Sequence, residues 1–366
     1  MKNLKLTKSI ALLLFILGIF VLTGCHQNKL PVDDEPDTPP TGEVDCEKNP
    51  DHEDCKDDSD DSDDKEEYPF SYGFTLYRLK DPDTNEHIDA YSVGNYKGED
   101  TVVKIPNVYK DKEGKEFPII RIKDNAFENN TKITKVIIPD SIEELGNNIF
   151  SRCSSLEEVV FDGISKITKI PTNTFYKCTS LKDITIPTTV KIIEDYAFYQ
   201  CSSIAELRVP ISVVLIGRSA FGAMTSLSKL SVPFIGGGRA DSLEAKVLGY
   251  VFDTAYTEFT VQLSQKVSET STKTYFIPSS LKTIEILSGS SKSLGYGALS
   301  GVTSIETIII PSTIEKFDDD VFAGATGINK IIYAGSKNDW LEIIGLYDTG
   351  NKEVLDEVEI IYDYAG

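Results

Sequence analysis

The sequence predicts a β-rich solenoid, a single elongated right-handed repeat domain of stacked parallel strands and short helical turns with an N-terminal β cap. The first observation is a column of phenylalanines separated by 23 or 25 residues. The second is an alternation of apolar and polar residues around the ninth and eleventh places after each phenylalanine, which indicates one short half-buried strand per repeat. Such a unit cannot bury its apolar face alone, so successive units must stack. These landmark residues are Phe127, Phe150, Phe175, Phe198 and Phe221, and the interval of 23 recurs between Leu299 and Phe322.

Residues 1–24 have the layout of an export signal. Three lysines precede an apolar run from Ile10 to Leu22, which is shorter than the roughly 20 residues of a membrane-spanning helix. The run ends in Leu22-Thr23-Gly24-Cys25, which resembles the bacterial lipobox. This resemblance implies cleavage before Cys25 and lipidation of its thiol; a signal peptide with an incidental cysteine is the alternative. We therefore expect a lipid-anchored, surface-exposed protein of the bacterial cell envelope, attached to the membrane through its lipid only.

Residues 25–67 are predicted to be the lipidated cysteine and an acidic, disordered tether. The stretch 31–67 holds 18 acidic side chains against three lysines, with too few apolar residues to bury. The acidic run lacks the glycine and terminal glutamate of an EF-hand loop, so a solvated spacer is favoured over loose calcium binding. Cys46 and Cys55 could close a small disulfide loop in an oxidising compartment. A metal site using both cysteines and His52 lacks the paired short spacings of such sites.

The composition argues against two classes of function. The formal net charge is -21, and residues 68–366 carry 30 basic against 40 acidic side chains, which disfavours nucleic acid as a partner. The three histidines, His26, His52 and His87, all lie outside the repeats, so histidine-activated nucleophiles are excluded there. Residues 236–238 are three glycines without the following Lys-Ser or Lys-Thr of a phosphate loop. We predict no catalytic residue, no metal and no cofactor, although carboxylate pairs keep a hydrolytic function open.

The repeat column divides the remaining chain. Residues 68–120 are predicted to form the N-terminal β cap or first irregular repeat, 121–233 the regular repeats, 234–298 expanded repeats with an insertion, and 299–366 the C-terminal repeats and cap. We expect the insertion to form a bulging loop or hairpin, and insertions of this kind commonly map to a binding face. Cys153, Cys178 and Cys201 share one place of the repeat and are interpreted as core residues, in preference to redox or metal chemistry.

One repeat carries a family resemblance. The run from Ala197 to Ile204, continuing through Val209-Pro210 to Ile216-Gly217, resembles the BspA-like, or Treponema-type, leucine-rich repeat of bacterial surface proteins. The likeness covers most of residues 101–345, and residues 332–340 are similar to the ending of such arrays. It implies a leucine-rich-repeat solenoid and adhesion to host proteins, matrix proteins or other bacteria. The proline-free unit around Phe161-Asp162-Gly163 departs from the pattern.

The outward positions of the predicted strands supply candidate binding residues. Equivalent side chains of successive repeats become neighbours in a stacked ladder. Two apolar pairs and a cation stand at such positions. Two tyrosines instead follow their landmark phenylalanines one repeat apart, and they form either an exposed aromatic step or a pair that packs on itself. Singly scattered apolar surface residues, which need no functional explanation, are the alternative for the apolar pairs. The candidates are Ile137 with Val160, Ile309 with Ile332, Arg208, and Tyr176 with Tyr199.

Three functions follow as hypotheses. The first is a cell-surface interaction protein that binds extracellular or host proteins or glycans. The second is an envelope scaffold without an external ligand, and the third is a hydrolytic lipoprotein. The absence of histidine from the repeats favours binding over catalysis.

Overall fold

Short strands precede the first regular repeat. They are β1 (Thr75–Lys80), β2 (His87–Gly94), β3 (Val102–Lys104), β4 (Val108–Lys110) and β5 (Glu116–Ile122). The computed structural model describes residues 73–238, 243–289, 291–348 and 350–364. The rings of Phe74 and Tyr96 pack against Phe127 with centroid distances of 5.4 and 5.3 Å. This region therefore covers the first side chain of the landmark column, as expected of a cap.

The predictions made for residues 1–67 fall outside the described residues. They include lipidation of Cys25 and a disulfide between Cys46 and Cys55. They stay predictions.

Each regular repeat contributes one strand before its usual proline and a second, two-residue strand after it. The strands are β6 (Lys135–Ile138), β7 (Glu144–Leu145), β8 (Glu158–Phe161), β9 (Lys169–Ile170), β10 (Asp183–Ile184), β11 (Ile192–Ile193), β12 (Glu206–Arg208), β13 (Leu215–Ile216) and β14 (Lys229–Val232). In the first strand of each repeat, buried aliphatic residues alternate with more exposed ones, so one face enters the core. The half-buried strand predicted for each repeat is confirmed, and the shorter second strand follows it.

Further strands and short helices follow. The strands are β15 (Thr260–Ser268), β16 (Ser271–Pro278), β17 (Thr283–Ile286), β18 (Ser293–Leu294), β19 (Thr307–Ile310), β20 (Lys316–Phe317), β21 (Lys330–Tyr333) and β22 (Glu359–Ile361). The helices are α1 (Lys337–Leu341), α2 (Lys352–Leu355) and the 3-10 helices Leu243–Lys246 and Leu248–Val251.

The first strands of successive repeats stack into two parallel sheets. One sheet has the order β10-β8-β6-β3, and the other has the order β12-β14-β17-β19-β21-β22. The second strands form shorter parallel ladders, β13-β11-β9 and β18-β20. Pairing between consecutive repeats is in register, as in Val136 with Val159 and Ile308 with Ile331. The predicted β-rich solenoid of stacked parallel strands is confirmed.

The landmark phenylalanines form a stacked row in the core. Phe127, Phe150, Phe175 and Phe198 are buried, with successive ring centroids 5.1, 5.6 and 5.1 Å apart and interplanar angles of at most 28°. Such offset contacts add to the burial of apolar area. One period of the repeat therefore corresponds to one turn of the stack.

The three repeat cysteines fill the core beside this row. Cys153, Cys178 and Cys201 are buried and unpaired, and the thiol of each donates to the main-chain carbonyl of the preceding repeat's landmark, at 3.1 to 3.2 Å. Burial raises the pKa of the Cys153 thiol to about 12. A thiol with a raised pKa stays protonated, and the thiolate is the reactive form. Their burial and this pKa confirm the interpretation of these cysteines as core side chains.

The interrupted segment keeps the landmark row at a different spacing. The Phe221 N–H donates to the Val251 carbonyl at 2.8 Å, as the Phe198 N–H donates to the Ala220 carbonyl at 2.8 Å. Phe252, which is buried, therefore takes the next place in the row, although it lies further along the chain from Phe221 than one period. The antiparallel hairpin β15-β16 lies between Phe252 and the strand of the same repeat, β17. The expected hairpin is confirmed.

The C-terminal helices close the other end of the row. Helix α1 begins after Ser336, whose hydroxyl accepts from the Asp339 N–H at 3.2 Å, and it buries Trp340. The amide oxygen of the buried Asn351 accepts from the Phe322 N–H at 3.2 Å. This side chain replaces the carbonyl that a further repeat would supply.

Candidate binding face

The outward side chains of the first strands form two rows, each divided between the two sheets. The first row is formed by the residues at the tenth place after each landmark phenylalanine and their equivalent in the cap. Strand pairing brings Lys104, Ile137 and Val160 side by side on β3, β6 and β8. The row resumes on the second sheet in the order Arg208, Ser231, Glu285, Ile309, Ile332 and Ile361. The sequence-predicted pairs Ile137 with Val160 and Ile309 with Ile332 are thus neighbours in the structure.

The C-terminal part of this row is an aliphatic strip. Ile309, Ile332 and Ile361 occupy three adjacent strands, and Ile361 is 38% exposed while the other two are half-buried. Ile361 was not predicted from the sequence, because β22 follows the helices of the C-terminal cap. Its separation from Ile332 along the chain is therefore longer than the usual period. Only the stacking of β22 on β21 brings it into the strip.

A charged cluster adjoins the strip. The Glu285 carboxylate accepts from the Ser231 hydroxyl at 2.7 Å and from Lys229 Nζ at 2.8 Å, and Arg208 Nη1 lies 3.8 Å away. Burial alone would raise the pKa of Glu285, but the hydrogen bonds from Lys229 and Ser231 outweigh it, so the pKa is lowered. Glu285 was not predicted, because its repeat has no recognisable landmark at the usual distance.

The eighth place carries a second row, and it is mostly charged. Lys135, Glu158 and Asp183 are adjacent on β6, β8 and β10, and Lys135 Nζ lies 2.8 Å from the Glu158 carboxylate. On the second sheet, Glu206 is adjacent to Lys229. The eighth-place row is therefore a ladder of charged side chains that flanks the tenth-place row.

The expectation of an exposed aromatic step is wrong for Tyr176. Its side chain is 5% exposed, and its ring stacks on Tyr199 with centroids 5.4 Å apart and an interplanar angle of 14°. The Tyr199 hydroxyl donates to Asp253 Oδ2 at 2.6 Å, so the inserted segment contacts the pair through Tyr199. Burial first, and then this hydrogen bond, raise the pKa of Tyr199. The alternative, that the two tyrosines pack on each other, is confirmed.

The hairpin is joined to the following repeat by polar contacts. The amide of the buried Gln265 accepts from the Gly249 N–H at 2.6 Å and donates to the Ala298 carbonyl at 3.2 Å. Lys266 Nζ lies 3.0 Å from the Asp320 carboxylate, which also accepts from the Tyr296 hydroxyl at 2.8 Å. Buried polar groups that are satisfied in this way hold a segment in one position.

Two further observations bear on the kind of site. Across residues 73–238, 243–289, 291–348 and 350–364, no group of three or more His, Cys, Asp or Glu side chains is placed to hold a metal ion. No helix in these ranges is long and apolar enough to cross a membrane.

Comparison with known proteins identifies the repeat. The profile of the BspA-type leucine-rich repeat region matches residues 116–234 and 246–341, in six copies. The chain belongs to this family. The resemblance noted around Ala197–Gly217 is thereby confirmed, and so is the leucine-rich-repeat fold. No curated protein matches the sequence significantly.

Several solved structures are similar to the BspA-type chain. A leucine-rich repeat protein of T. pallidum is 19% identical, with a TM-score of 0.41, over 71% of this chain and 89% of its own. One from Bacteroides ovatus is 22% identical, with a TM-score of 0.42, over 81% and 79%. A leucine-rich cell surface protein of Faecalibacterium prausnitzii is 18% identical, with a TM-score of 0.35, over 77% and 98%. Family membership rests on the six repeat copies rather than on these structures.

Proposed function

We propose that this chain is a lipid-anchored protein of the bacterial cell surface whose outward strand face binds a protein partner. The BspA-type repeat supports a display surface, and the lipobox-like sequence before Cys25 supports an anchor. Adhesion to a host protein, a matrix protein or another bacterium is the role proposed for this surface. A binding role is favoured over catalysis because the repeats contain no histidine.

The observation that carries the proposal is the aliphatic strip beside the charged cluster. Ile309, Ile332 and Ile361 are adjacent, and Glu285 and Arg208 continue the same row. Specific protein interfaces combine an apolar centre with a polar rim. A row with this order of side chains fits a protein surface better than a polar glycan.

A binding panel with face variants tests the function. The full-length protein is assayed in detergent against immobilised extracellular matrix proteins and, separately, against a glycan array. We expect saturable binding to at least one protein, weakened at least about tenfold by Ile332→Asp, since truncation or polar substitution at an interface centre costs about 2 kcal/mol or more. Ile211→Asp, which changes an exposed isoleucine away from this row, is the matched control.

The contrary results are equally concrete. Saturable protein binding that Ile332→Asp, Ile309→Asp and Arg208→Glu all leave unchanged would place the site elsewhere. Binding to glycans alone would replace the protein partner with a carbohydrate. Retention of the protein in the membrane fraction after Cys25→Ala would contradict the lipid anchor.

A further inference from the structure

The repeat that begins at Phe150 is longer than its neighbours. Its landmark and the next, Phe175, are 25 positions apart rather than the usual 23, and it lacks the proline that usually follows the first strand. The added length lies just after β8, where Gly163 has a φ of +73°. A positive φ is favourable for glycine and lets the chain turn outward there.

The strands next to this turn separate. Strand β10 pairs with β8 only at Asp183 and Ile184, and the four-stranded sheet ends at β10. In two other repeats, the eleventh-place N–H donates to the tenth-place carbonyl of the next repeat, as Ile105 does to Ile137 at 3.0 Å and Val209 to Ser231 at 2.8 Å. Among the described residues, no such bond joins the Phe161 N–H to Thr185. Backbone hydrogen-bonding groups at this opening are therefore free to bind another chain.

The opening is a groove of about 480 Å³ between β8 and β10 and the loops that follow them. Val160 and Phe161 line one side, and Thr185 and Thr188 line the other. Ile164 stands at the rim and is 85% exposed. The size falls within the range of about 300 to 1,000 Å³ that is usual for ligand sites.

The end of the groove where the strands are still paired is acidic. Glu158 and Asp183 are directly opposite each other on adjacent strands and both line the groove. Like charges in this position repel each other. Lys135 pairs with Glu158, and Asp183 has no ion pair within the described part of the chain. A cation placed between the two carboxylates would relieve the repulsion.

We propose that this groove binds an extended segment of a partner protein in which a lysine or arginine stands two residues from an aliphatic side chain. Side chains on one face of a strand are two residues apart, which is the spacing of Glu158 and Val160. The cation contacts Glu158 and Asp183, the aliphatic group covers Val160 and Ile164, and a peptide carbonyl accepts from the Phe161 N–H. This is strand-like peptide recognition with charged specificity, and it rests on the proposed protein-binding function.

Charge complementarity selects the occupant. Residues 68–366 have 30 basic and 40 acidic side chains, so a second copy of this chain brings a net negative surface to an acidic groove. A cationic segment of another protein avoids that repulsion. Self-association through the groove is an outcome that the experiment can detect.

The experiment uses the full-length protein and two fluorescein-labelled peptides, acetyl-Ser-Thr-Lys-Thr-Leu-Thr-Ser and the same peptide with Glu in place of Lys. We expect fluorescence anisotropy to give at least about tenfold tighter binding of the lysine peptide. Asp183→Lys should weaken that binding at least about tenfold and Ile164→Asp about fivefold, since each removes one contact worth about 1 kcal/mol or more. Ile344→Asp and Glu128→Lys, both at exposed sites in other parts of the array, should change it less than twofold.

Equal affinity for the two peptides, or equal affinity of the wild type and both groove variants, would overturn the proposal. So would concentration-dependent self-association that Ile164→Asp abolishes. Circular dichroism of every variant checks folding, and Ile164 tolerates substitution because its side chain is exposed. If Ile332→Asp abolishes binding to the protein found in the binding panel, but the two peptides bind equally, only the groove proposal is contradicted. If the lysine peptide binds more tightly than the glutamate peptide, but Ile332→Asp leaves binding of the panel protein unchanged, the proposed role of the outward strand face is contradicted instead.

Discussion

The regular repeats and the interrupted segment maintain one core by different means. In the regular repeats, apolar side chains recur every 23 or 25 residues, and landmark rings such as Phe150 and Phe175 stack directly. In the interrupted segment, Phe252 keeps its place although its separation from the preceding landmark is longer than any in the regular repeats. There, Gln265 and Asp253 hold the added chain by hydrogen bonds. Burial of the recurring apolar side chains therefore sets the period, and the long departure from it is held by additional side-chain hydrogen bonds.

The difference also decides where binding surfaces arise. A strictly periodic stack presents rows of side chains, such as Ile309 beside Ile332, whose neighbours are fixed by the register. A small departure, the slight lengthening of the repeat before Phe175, opens the sheet. A large departure, the hairpin, is closed by polar contacts to Ala298 and Asp320. The lengthened repeat before Phe175 leaves backbone hydrogen-bonding groups free, whereas the side chains of the hairpin supply hydrogen-bond partners to the neighbouring repeat.

The largest effect is expected from removing a ring of the landmark row. Phe175→Ala should lower the free energy of unfolding by about 3–5 kcal/mol, because it deletes a buried ring between two stacked neighbours. Chemical denaturation measures the change. Phe259→Ala, which truncates a ring that is 55% exposed in the interrupted segment, should cost less than about 0.5 kcal/mol. A loss below about 1 kcal/mol for Phe175→Ala would mean that the row does not support the regular repeats.

The next effect concerns the hairpin. Gln265→Leu should cost about 2–3 kcal/mol, because it leaves the buried Gly249 N–H without an acceptor. It also removes one of two donors to the Ala298 carbonyl, which still accepts from the Leu248 N–H. Native-state hydrogen exchange should show faster exchange at Gly249 and unchanged protection at Phe150. The exposed Gln262 on the same strand provides the control, Gln262→Leu. Equal losses of protection at both amides would show that the two regions unfold as one unit.

The fold was predictable from the sequence wherever the period held, and the site only in part. The landmark row and the pair Ile309 with Ile332 follow from spacing alone. Phe252 and Glu285 do not, because the residues that precede them in the stack lie far away along the chain. The contact of Tyr199 with the insertion escaped prediction for a related reason: its partner, Asp253, comes 54 residues later in the chain. A period specifies neighbours between repeats but not contacts across an insertion.

A smaller effect should come from the junction between the two regions. Tyr199→Phe removes the hydroxyl that donates to the buried Asp253 carboxylate and should cost about 1.5–3 kcal/mol, as for other hydrogen bonds to charged groups. Thermal unfolding followed by near-ultraviolet circular dichroism measures the loss. Tyr256→Phe, which removes an exposed hydroxyl of the same insertion, is the control. Equal stability of both variants would show that stacking on Tyr176 alone holds the junction.

The smallest effect is a pH dependence of the charged cluster on the outward face. The folded-state pKa of Glu285 lies below its ordinary value of 4.5, so the unfolded chain binds more protons as the pH falls through this range. The stabilisation from this carboxylate is fully present above 4.5 and is lost as the pH falls through the lowered pKa. Its size should be about 0.2–1 kcal/mol, because the pair with Lys229 is partly exposed.

Glu285→Gln isolates this contribution. The variant should be less stable than the wild type near about pH 6, and the difference should shrink as the pH falls below 4.5 and through the lowered pKa, because the wild-type carboxylate then becomes protonated. Urea denaturation at several pH values measures it. Glu315→Gln, at an exposed carboxylate paired with Lys292 away from this row, serves as the control. A difference between Glu285→Gln and wild type that stays constant over this range would mean that packing, and not charge, accounts for the role of Glu285. The cluster would then be a structural part of the face rather than an electrostatic rim for a partner.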